Sequence, residues 1–269
     1  MTPALALLLL ASTLDLPFET VGPDIARLYL AVESSVAISR SRVEDVSRDL
    51  FANDTVVDAR SFPLLLRIGI LSWAELRLSS GLWSSIRIEP PAGNEQRGFP
   101  NTGLGVKARF VEEEGVELAA AITAILPTGD RDAALRGTGA EAVLLGRWRL
   151  TPALQVRANA GYGYFNPSSF VLEEFEITVN PPVSQTLVLR GALDWQLVDQ
   201  LSVFAEAVAE GLREDSEAAD ETRLGSTVGG GAILTALSPV ALFAAVSHSF
   251  FRSEAGTFWT ARTGFAFSL

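Results

Sequence analysis

Apolar and polar residues alternate with a period of two through most of this chain. The alternation is nearly unbroken at 154–162 and recurs at 75–82 and 186–196. Successive side chains of a β-strand point to opposite faces, so this period predicts strands with one apolar and one polar face. Twelve strands are predicted, at 25–38, 56–70, 73–88, 101–111, 115–126, 139–150, 152–165, 185–197, 200–212, 222–236, 239–251 and 257–268.

The predicted strands are long, and their connections alternate in length. The strands have about 11 to 16 residues, whereas ordinary globular strands have about 5 or 6 and tilted membrane-spanning strands need about 9 to 11. The short turns lie at 71–72, 112–114, 151, 198–199 and 237–238. The longer, polar connections of the other end lie at 39–55, 89–100, 127–138, 166–184 and 213–221, with a short one near 252–256.

An even number of antiparallel strands with this asymmetry is typical of outer-membrane barrels. We therefore predict an all-β fold, a transmembrane antiparallel β-barrel that spans 25–269. Its twelve up-and-down strands would have short periplasmic turns and longer extracellular loops.

Two apolar segments are candidates for transmembrane helices, but neither fits that structure. Segment 3–14 is too short to span a bilayer and lies where a secretory signal has its apolar region. Residues 1–14 are therefore predicted to be a signal peptide, an atypical one because no Lys or Arg precedes the apolar run. Residues 15–24 are predicted to form a periplasmic N-terminal segment. The second segment, 225–251, contains the glycine run 229–231 and a proline, which favour two strands over a helix.

The charged residues of the predicted strands share one face. None of the 21 basic and 32 acidic residues lies on the apolar face within a strand core. A Lys or Arg facing lipid at mid-bilayer costs about 2 to 4 kcal/mol, so a membrane barrel requires this segregation. The charged face would then line the lumen. The residues predicted to line it are Arg77, Arg87, Lys107, Arg109, Arg147, Arg157, Arg190, Asp194, Glu206, Glu210, Arg223 and Arg262.

Large aromatic residues of the apolar face lie near the strand ends. Two aromatic girdles are typical of membrane barrels, whereas a soluble sandwich would bury its aromatic residues mid-strand. The girdle predicted at the loop end consists of Phe62, Tyr162, Tyr164, Phe250 and Trp259. The girdle predicted at the turn end consists of Phe110, Trp148, Trp195, Phe265 and Phe267. A soluble all-β protein is the alternative, because alternation by itself does not tell which face meets lipid.

Composition excludes several kinds of site. With no cysteine and one histidine, the chain offers no disulfide, no thiol nucleophile and no cysteine or poly-histidine metal site. Its net charge of −11 argues against binding to nucleic acid. His248 lies on the apolar face and Ser247 and Ser249 on the other, unlike the lipid-facing His–Ser arrangement of an outer-membrane phospholipase. No enzyme activity, cofactor or metal is predicted.

The predicted lumen has two interpretations. Its charges are mainly basic and the long loops are acidic, which favours a polar pathway with a mild preference for anions. Arginines and carboxylates could instead pair and fill the interior, since twelve strands lie between small filled barrels and wide channels. Tyr29, Trp83, Phe204 and Phe243 are also predicted to face inward, where they would contact aromatic solutes or pack against a plug.

Two segments resemble features of outer-membrane proteins. Segment 121–130, which ends a strand in the motif LPTGD, resembles the outer-membrane family named for the meta-pathway of phenol degradation. That resemblance covers about 100–269 and implies a bacterial outer-membrane barrel that moves small, hydrophobic molecules; the family has no catalytic motif to carry over. The C-terminal segment 265–269 resembles the strand signal read by the barrel-assembly machinery, with Leu269 replacing the usual aromatic residue.

The prediction is therefore a channel or transporter of the bacterial outer membrane that passes small solutes, including hydrophobic or aromatic ones. The alternative is an outer-membrane barrel with a sealed lumen and a structural or surface-interaction role. The predicted partners are outer-membrane lipid and lipopolysaccharide, the barrel-assembly machinery and a small-molecule solute.

Overall fold

The chain folds as an all-β protein in a computed structural model. The structure describes residues 28–41, 55–89, 95–130, 136–172, 177–179, 182–215, 220–237, 240–251 and 257–268. The predicted signal peptide and the predicted periplasmic segment lie outside the described residues. No helix within the described ranges is long and apolar enough to cross a membrane.

Within these ranges the chain forms fifteen strands, numbered along the sequence. The twelve long strands are β1 (Leu28–Ser41), β2 (Thr55–Leu71), β3 (Ala74–Glu89), β5 (Thr102–Glu113), β6 (Val116–Leu126), β7 (Gly137–Arg149), β8 (Leu154–Pro167), β11 (Val183–Val198), β12 (Leu201–Asp215), β13 (Asp220–Leu237), β14 (Val240–Phe251) and β15 (Thr257–Ser268). The three short strands are β4 (Glu95–Gly98), β9 (Phe170–Leu172) and β10 (Ile177–Val179).

The twelve long strands form a closed antiparallel ring. Each long strand pairs with the long strands before and after it in the chain. β1 also pairs with β15, from Tyr29 opposite Ser268 to Arg40 opposite Thr257, so the last strand returns to the first. A closed ring leaves no unpaired sheet edge. The predicted barrel of twelve up-and-down strands is confirmed.

The predicted connections differ from the structure where short strands interrupt them. The connection 89–100 contains β4, and the connection 166–184 contains the hairpin of β9 and β10. β4 forms because β3 extends past its barrel neighbour: β3 pairs with β5 over 74–79 and with β4 over 84–87. Alternation does not reveal such strands, because three or four residues are too few to show a period.

The hairpin turn between β5 and β6 depends on one glycine. Gly115 has a φ of 79°, a left-handed conformation that other residues adopt at a cost. Its carbonyl accepts a hydrogen bond of 2.7 Å from the backbone N–H of Arg149 at the next turn of the barrel. The turn-end rim is therefore tied together through the backbone.

Large apolar side chains cover the outside of the ring. Alternate residues along β6, β7 and β11 are exposed, among them Ile122 (60%), Leu144 (59%) and Leu187 (56%). The residues between them face the interior and are buried or half-buried. In a soluble sandwich the apolar row would be the buried one. The exposed apolar band on a closed cylinder is the surface of a membrane-spanning barrel.

Trp83 is a correction to the predicted faces. The register of β2 and β3 shifts between Ser61 and Pro63, and β3 has an extra residue there. The shift resets the alternation, so the Trp83 ring packs beside Phe62 of the outer surface, with 5.6 Å between ring centroids. A bulge of this kind moves a side chain to the other face, which strict alternation does not anticipate.

Candidate functional site

Glu75 holds two cations on the inner face of the barrel. Arg67 Nε donates to Glu75 Oε1 at 2.6 Å, and a terminal Arg67 nitrogen donates to Oε2 at 2.9 Å. Lys107 Nζ lies 3.1 Å from the same Oε1. The Glu75 side chain is 0% exposed and that of Lys107 is 3% exposed. Lys107 meets the carboxylate because the two residues are directly opposite in the β3–β5 register. A bidentate arginine–carboxylate pair with a second cation is a rigid, charge-assisted contact.

Glu117 forms a second cluster two strands further on. Its Oε1 pairs with Arg147, which is its register partner on β7. Arg109 of β5 lies 3.9 Å from Glu117 Oε2 and 2.6 Å from the exposed Glu112. Arg109 also donates to the backbone carbonyl of Ser72 at 3.2 Å. This cluster therefore joins three strands and the β2–β3 turn.

A third cluster joins β8 and β11. Arg157 Nε donates to Asp194 Oδ2 at 2.5 Å, and a terminal nitrogen of Arg157 pairs with the other carboxylate oxygen. Gln155 Nε2 donates to Asp194 Oδ2 at 3.5 Å. Gln155 is the register partner of Asp194, and Arg157 lies two residues further along the same inward row. The pairing follows directly from the register.

The three clusters form an arc near the turn end of the lumen, which we call the turn-end belt. Glu75 and Glu117 are each one residue from the start of their strands, and Asp194 is four residues from the end of β11. No member of the belt is more than 16% exposed. The belt members are Arg67, Glu75, Lys107, Arg109, Glu117, Arg147, Arg157 and Asp194. The belt lines this end of the lumen.

Charged side chains continue along the lumen beyond the belt. Arg190 and Glu206 lie on the inward rows of β11 and β12, with Glu210 two inward positions further along β12. Arg262 lies on the inward row of β15. All four residues are half-buried, as are Arg109, Glu117 and Arg147 of the belt, whereas the other five belt members are buried. The middle of the lumen is therefore polar and reached by water.

The wall formed by β12 to β14 is aromatic and tightly packed near the turn end. Phe243 is buried and Phe204 half-buried. A Cβ on Gly231 would lie 2.7 Å from the tip of the Phe204 ring and 2.3 Å from the Ala244 carbonyl oxygen. Only glycine leaves room for that ring at this point. The lumen thus has a charged arc and an aromatic arc.

The structure places the residues predicted to line the lumen as follows. Lys107, Arg157 and Asp194 are buried, and the half-buried ones are Arg77, Arg109, Arg147, Arg190, Glu206, Glu210 and Arg262. Arg87 and Arg223 lie in β3 and β13, but their side chains are outside the described ones, as is that of Tyr29 in β1. The belt brings five of the predicted residues together.

The residues predicted for the aromatic girdles lie mostly on the exposed outer face. The exposed ones are Phe62, Tyr162, Tyr164, Trp259, Phe110, Trp148, Trp195 and Phe265. Phe267 is half-buried, and the side chain of Phe250 is outside the described ones. Trp259 stacks on His248, with 4.3 Å between ring centroids, so the single histidine belongs to this outer surface.

Sequence reasoning did not single out several residues of the belt and the girdle. Arg67, Glu75 and Glu117 carry the belt's ion pairs but were predicted only as part of the charged face. Trp73, at the β2–β3 turn, exposes about half of its surface beside the turn-end girdle. Its signal was a tryptophan next to a predicted turn, the position where interfacial aromatic residues concentrate.

The motif LPTGD at 126–130 acts as a clasp at the loop-end rim. Asp130 Oδ2 accepts a hydrogen bond of 2.9 Å from the N–H of Phe99, and Thr128 Oγ1 accepts one of 2.8 Å from the N–H of Thr102. Asn101 Oδ1 accepts from the N–H groups of Gly129 (3.0 Å) and Gly137 (3.4 Å). These bonds join the β4–β5 and β6–β7 connections, which gives the motif a structural role.

Replacing Asn101 with alanine should loosen this clasp. Loss of two accepted hydrogen bonds should lower the free energy of unfolding by about 1 to 2 kcal/mol and speed trypsin cleavage after Arg136. Urea unfolding and timed proteolysis measure both effects. Thr151→Ala is the matched control, because Thr151 accepts two backbone hydrogen bonds at the opposite end of the barrel. Equal cleavage of the Asn101 variant and the parent would contradict the role of the clasp.

Among the described residues, no group of three or more histidine or acidic side chains is arranged to hold a metal ion.

Comparisons with known proteins find the fold but no sequence family. No protein-family model matches the chain, and a search of curated proteins finds no match. An outer membrane channel from Pseudomonas putida F1 is similar in structure, with a TM-score of 0.69 and 10% identity over 91% of this chain and 96% of that one. The translocator domain of the autotransporter NalP from Neisseria meningitidis has a TM-score of 0.61 and 12% identity over 99% and 96%. The NanC porin has a TM-score of 0.53 and 8% identity over 89% and 100%. The chain therefore has the fold of bacterial outer-membrane β-barrels.

Proposed function

We propose that this chain is a bacterial outer-membrane barrel that passes small solutes through its lumen. The observation that carries the proposal is the arrangement of its two surfaces. The outside of the closed ring is apolar and exposed, and charged side chains follow the inside from the turn-end belt to the half-buried residues above it. Ionised groups inside a barrel form a polar path across a membrane that would otherwise exclude charged solutes.

The belt limits the size and charge of the solutes. Its ion pairs bring together five cations and three carboxylates of the lumen wall, so anions are favoured over cations of the same size. The buried belt narrows the path, which restricts passage to small molecules. Phe204, the register partner of Asp194 on the neighbouring strand, offers an apolar contact for hydrophobic or aromatic solutes. The resemblance of 121–130 to the family named for phenol degradation supports the same substrate class.

A non-enzymatic role is part of the proposal. His248 stacks on Trp259 of the outer surface, whereas Ser247 and Ser249 lie on the inner row. A histidine and a serine on opposite sides of the barrel wall do not form a nucleophile–base pair. The similar structures, a channel, a translocator domain and a porin, support this reading. The outer-membrane location, lipopolysaccharide and the assembly machinery as partners, and removal of residues 1–14 belong to the same proposal.

Purified barrel in liposomes should accelerate the entry of small solutes. We expect swelling rates that rise with protein density and fall with solute mass, and a reversal potential in a KCl gradient that favours chloride. Liposomes with heat-unfolded protein are the control, and a shift in gel mobility on boiling shows that the barrel has folded and inserted.

A sealed barrel is the second candidate, and one observation favours it. No belt residue is more than 16% exposed, so the belt could close the turn end of the lumen. Folded, inserted barrel that swells liposomes no faster than the control would contradict the channel and support the sealed form.

A further inference from the structure

Two exposed arginines lie side by side on the outer face at the loop end of the barrel. Arg60 of β2 and Arg97 of β4 are both register partners of Ser85 on β3. Residues directly opposite each other on antiparallel strands point to the same face, so the two arginines flank Ser85 on one surface. Their Cα atoms are two strand spacings apart, about 10 Å. Both side chains are exposed, whereas Ser85 is buried between them.

This arginine pair lies just above the aromatic surface of the barrel. Arg60 occupies the outer row of β2, one outer position beyond Phe62, whose ring packs beside Trp83. Interfacial aromatic residues mark the level at which lipid headgroups meet acyl chains. Long arginine side chains at that level place their guanidinium groups among the headgroups. The pair is therefore placed to contact lipid headgroups.

A second row with the same character lies on another part of the wall. Arg213 of β12, Gln185 of β11 and Tyr164 of β8 are successive register partners, and Arg213 and Tyr164 are exposed. Tyr162, one outer position below Tyr164, donates its hydroxyl hydrogen bond to Gln185 Oε1 at 3.1 Å. An arginine with an amide and phenols around it again lies at the loop end, above the apolar band.

We infer that these two rows bind the phosphate groups of the phosphorylated glycolipid of the outer leaflet. The inference rests on the proposed outer-membrane location and adds the residues that contact the lipid. Guanidinium groups form bidentate hydrogen bonds with phosphate, and two arginines about 10 Å apart reach one headgroup from both sides. The aromatic residues below them contact acyl chains. A free phosphate ion has no acyl chain, so these contacts favour a lipid.

Charge supports a phosphorylated lipid as the occupant. The chain has a net charge of −11, so outward-facing cations at the rim run against its overall charge. The outward arginines attract an anionic headgroup and so offset the repulsion that the acidic loops would otherwise exert on it. Both rows lie at the same end of the barrel, which is the end of the long loops and hence of the outer leaflet.

Binding of the bis-phosphorylated glycolipid anchor of lipopolysaccharide tests the inference. The full barrel, refolded in detergent from inclusion bodies and therefore free of lipopolysaccharide, is titrated and followed by native mass spectrometry. The parent should bind the phosphorylated glycolipid at least about tenfold more tightly than its dephosphorylated form. The double variant Arg60→Gln/Arg97→Gln should lose that preference at one site, and Arg213→Gln should lose it at the other. Arg149→Gln, which removes an exposed charge at the turn end, should bind like the parent.

Three results would overturn the inference. They are equal binding of the two glycolipids by the parent, unchanged binding by the double variant, and competition by inorganic phosphate at the concentration of the glycolipid, which would indicate a site for free anions. A shift in gel mobility on boiling shows that each variant has folded. Solute entry into liposomes is measured separately, so the lipid sites and the channel can fail independently.

Discussion

Replacing Glu75 with alanine should destabilise the barrel by about 3 to 5 kcal/mol. The carboxylate is fully buried and balances Arg67 and Lys107, which approach it to 2.6 and 3.1 Å. Without it two cations face each other in a site that water does not reach, and neither can recover its solvation. The free energy of unfolding in urea measures the loss.

Glu112→Ala is the matched control for this substitution. Glu112 also pairs with an arginine, at 2.6 Å from Arg109, but its side chain is 65% exposed. An exposed ion pair contributes at most about 1 kcal/mol, so this variant should stay close to the parent. If the two variants lost equal stability, Glu75 would not be a buried carboxylate that holds two cations in place.

Leu189→Arg should lower the free energy of unfolding by about 2 to 4 kcal/mol, whereas Val188→Arg, at the neighbouring position, should leave it close to that of the parent. Leu189 lies near the middle of β11 on the outer face and is 53% exposed. A guanidinium there must enter the apolar centre of the bilayer. Val188 is half-buried on the inner row, opposite Glu210 in the register, where an added arginine meets water and a carboxylate.

The two arginine variants add the same side chain to adjacent aliphatic positions of one strand, so any difference between them reports the face. Refolding into lipid bilayers followed by urea titration gives both free energies of unfolding. The reverse order, with Val188→Arg the more damaging, would mean that the lumen is a dry core and that the outer row meets water.

The barrel could be predicted from sequence because the patterns that indicate it lie within single strands and connections. Within each strand, as in 186–196, apolar residues alternate with polar ones because one face meets lipid and the other meets the lumen. Lipid on one side and water on the other impose that period on every strand, and the length of the strands and the asymmetry of the connections indicate closure into a ring. Neither signal depends on knowing which residues touch across strands.

The belt could not be predicted to the same depth because it depends on register. Glu75, Arg67 and Lys107 come from three strands, and only the pairing of β3 with β2 and β5 brings them into contact. The sequence shows that each is charged and faces inward, but not which partner it has. Trp83 was predicted to face the lumen for a related reason. The alternation along the sequence does not show where a bulge adds one residue to β3 and changes which face the next side chain occupies.

The rim clasp shows a third limit. The motif LPTGD was predicted to end a strand, and it carried the resemblance to an outer-membrane family. Its contacts are with Phe99, Asn101 and Thr102, some 26 to 31 residues away for the bonds of Asp130, Gly129 and Thr128. Hydrogen bonds between two connections depend on how the strands pair, and the alternation within a single strand does not predict them.

A nitroxide scan along β11 tests most directly whether the apolar row faces lipid and the charged row faces the lumen. The chain has no cysteine, so single cysteines introduced at 186–195 can each be labelled without first replacing a native cysteine. In bilayers, labels at Leu187, Leu189 and Leu193 should collide most with oxygen, which concentrates in lipid. Labels at Val188 and Arg190 should collide most with a polar nickel complex in water. Oxygen collisions that peak at the even positions, or that do not alternate at all, would contradict a lipid-facing apolar wall around a polar lumen.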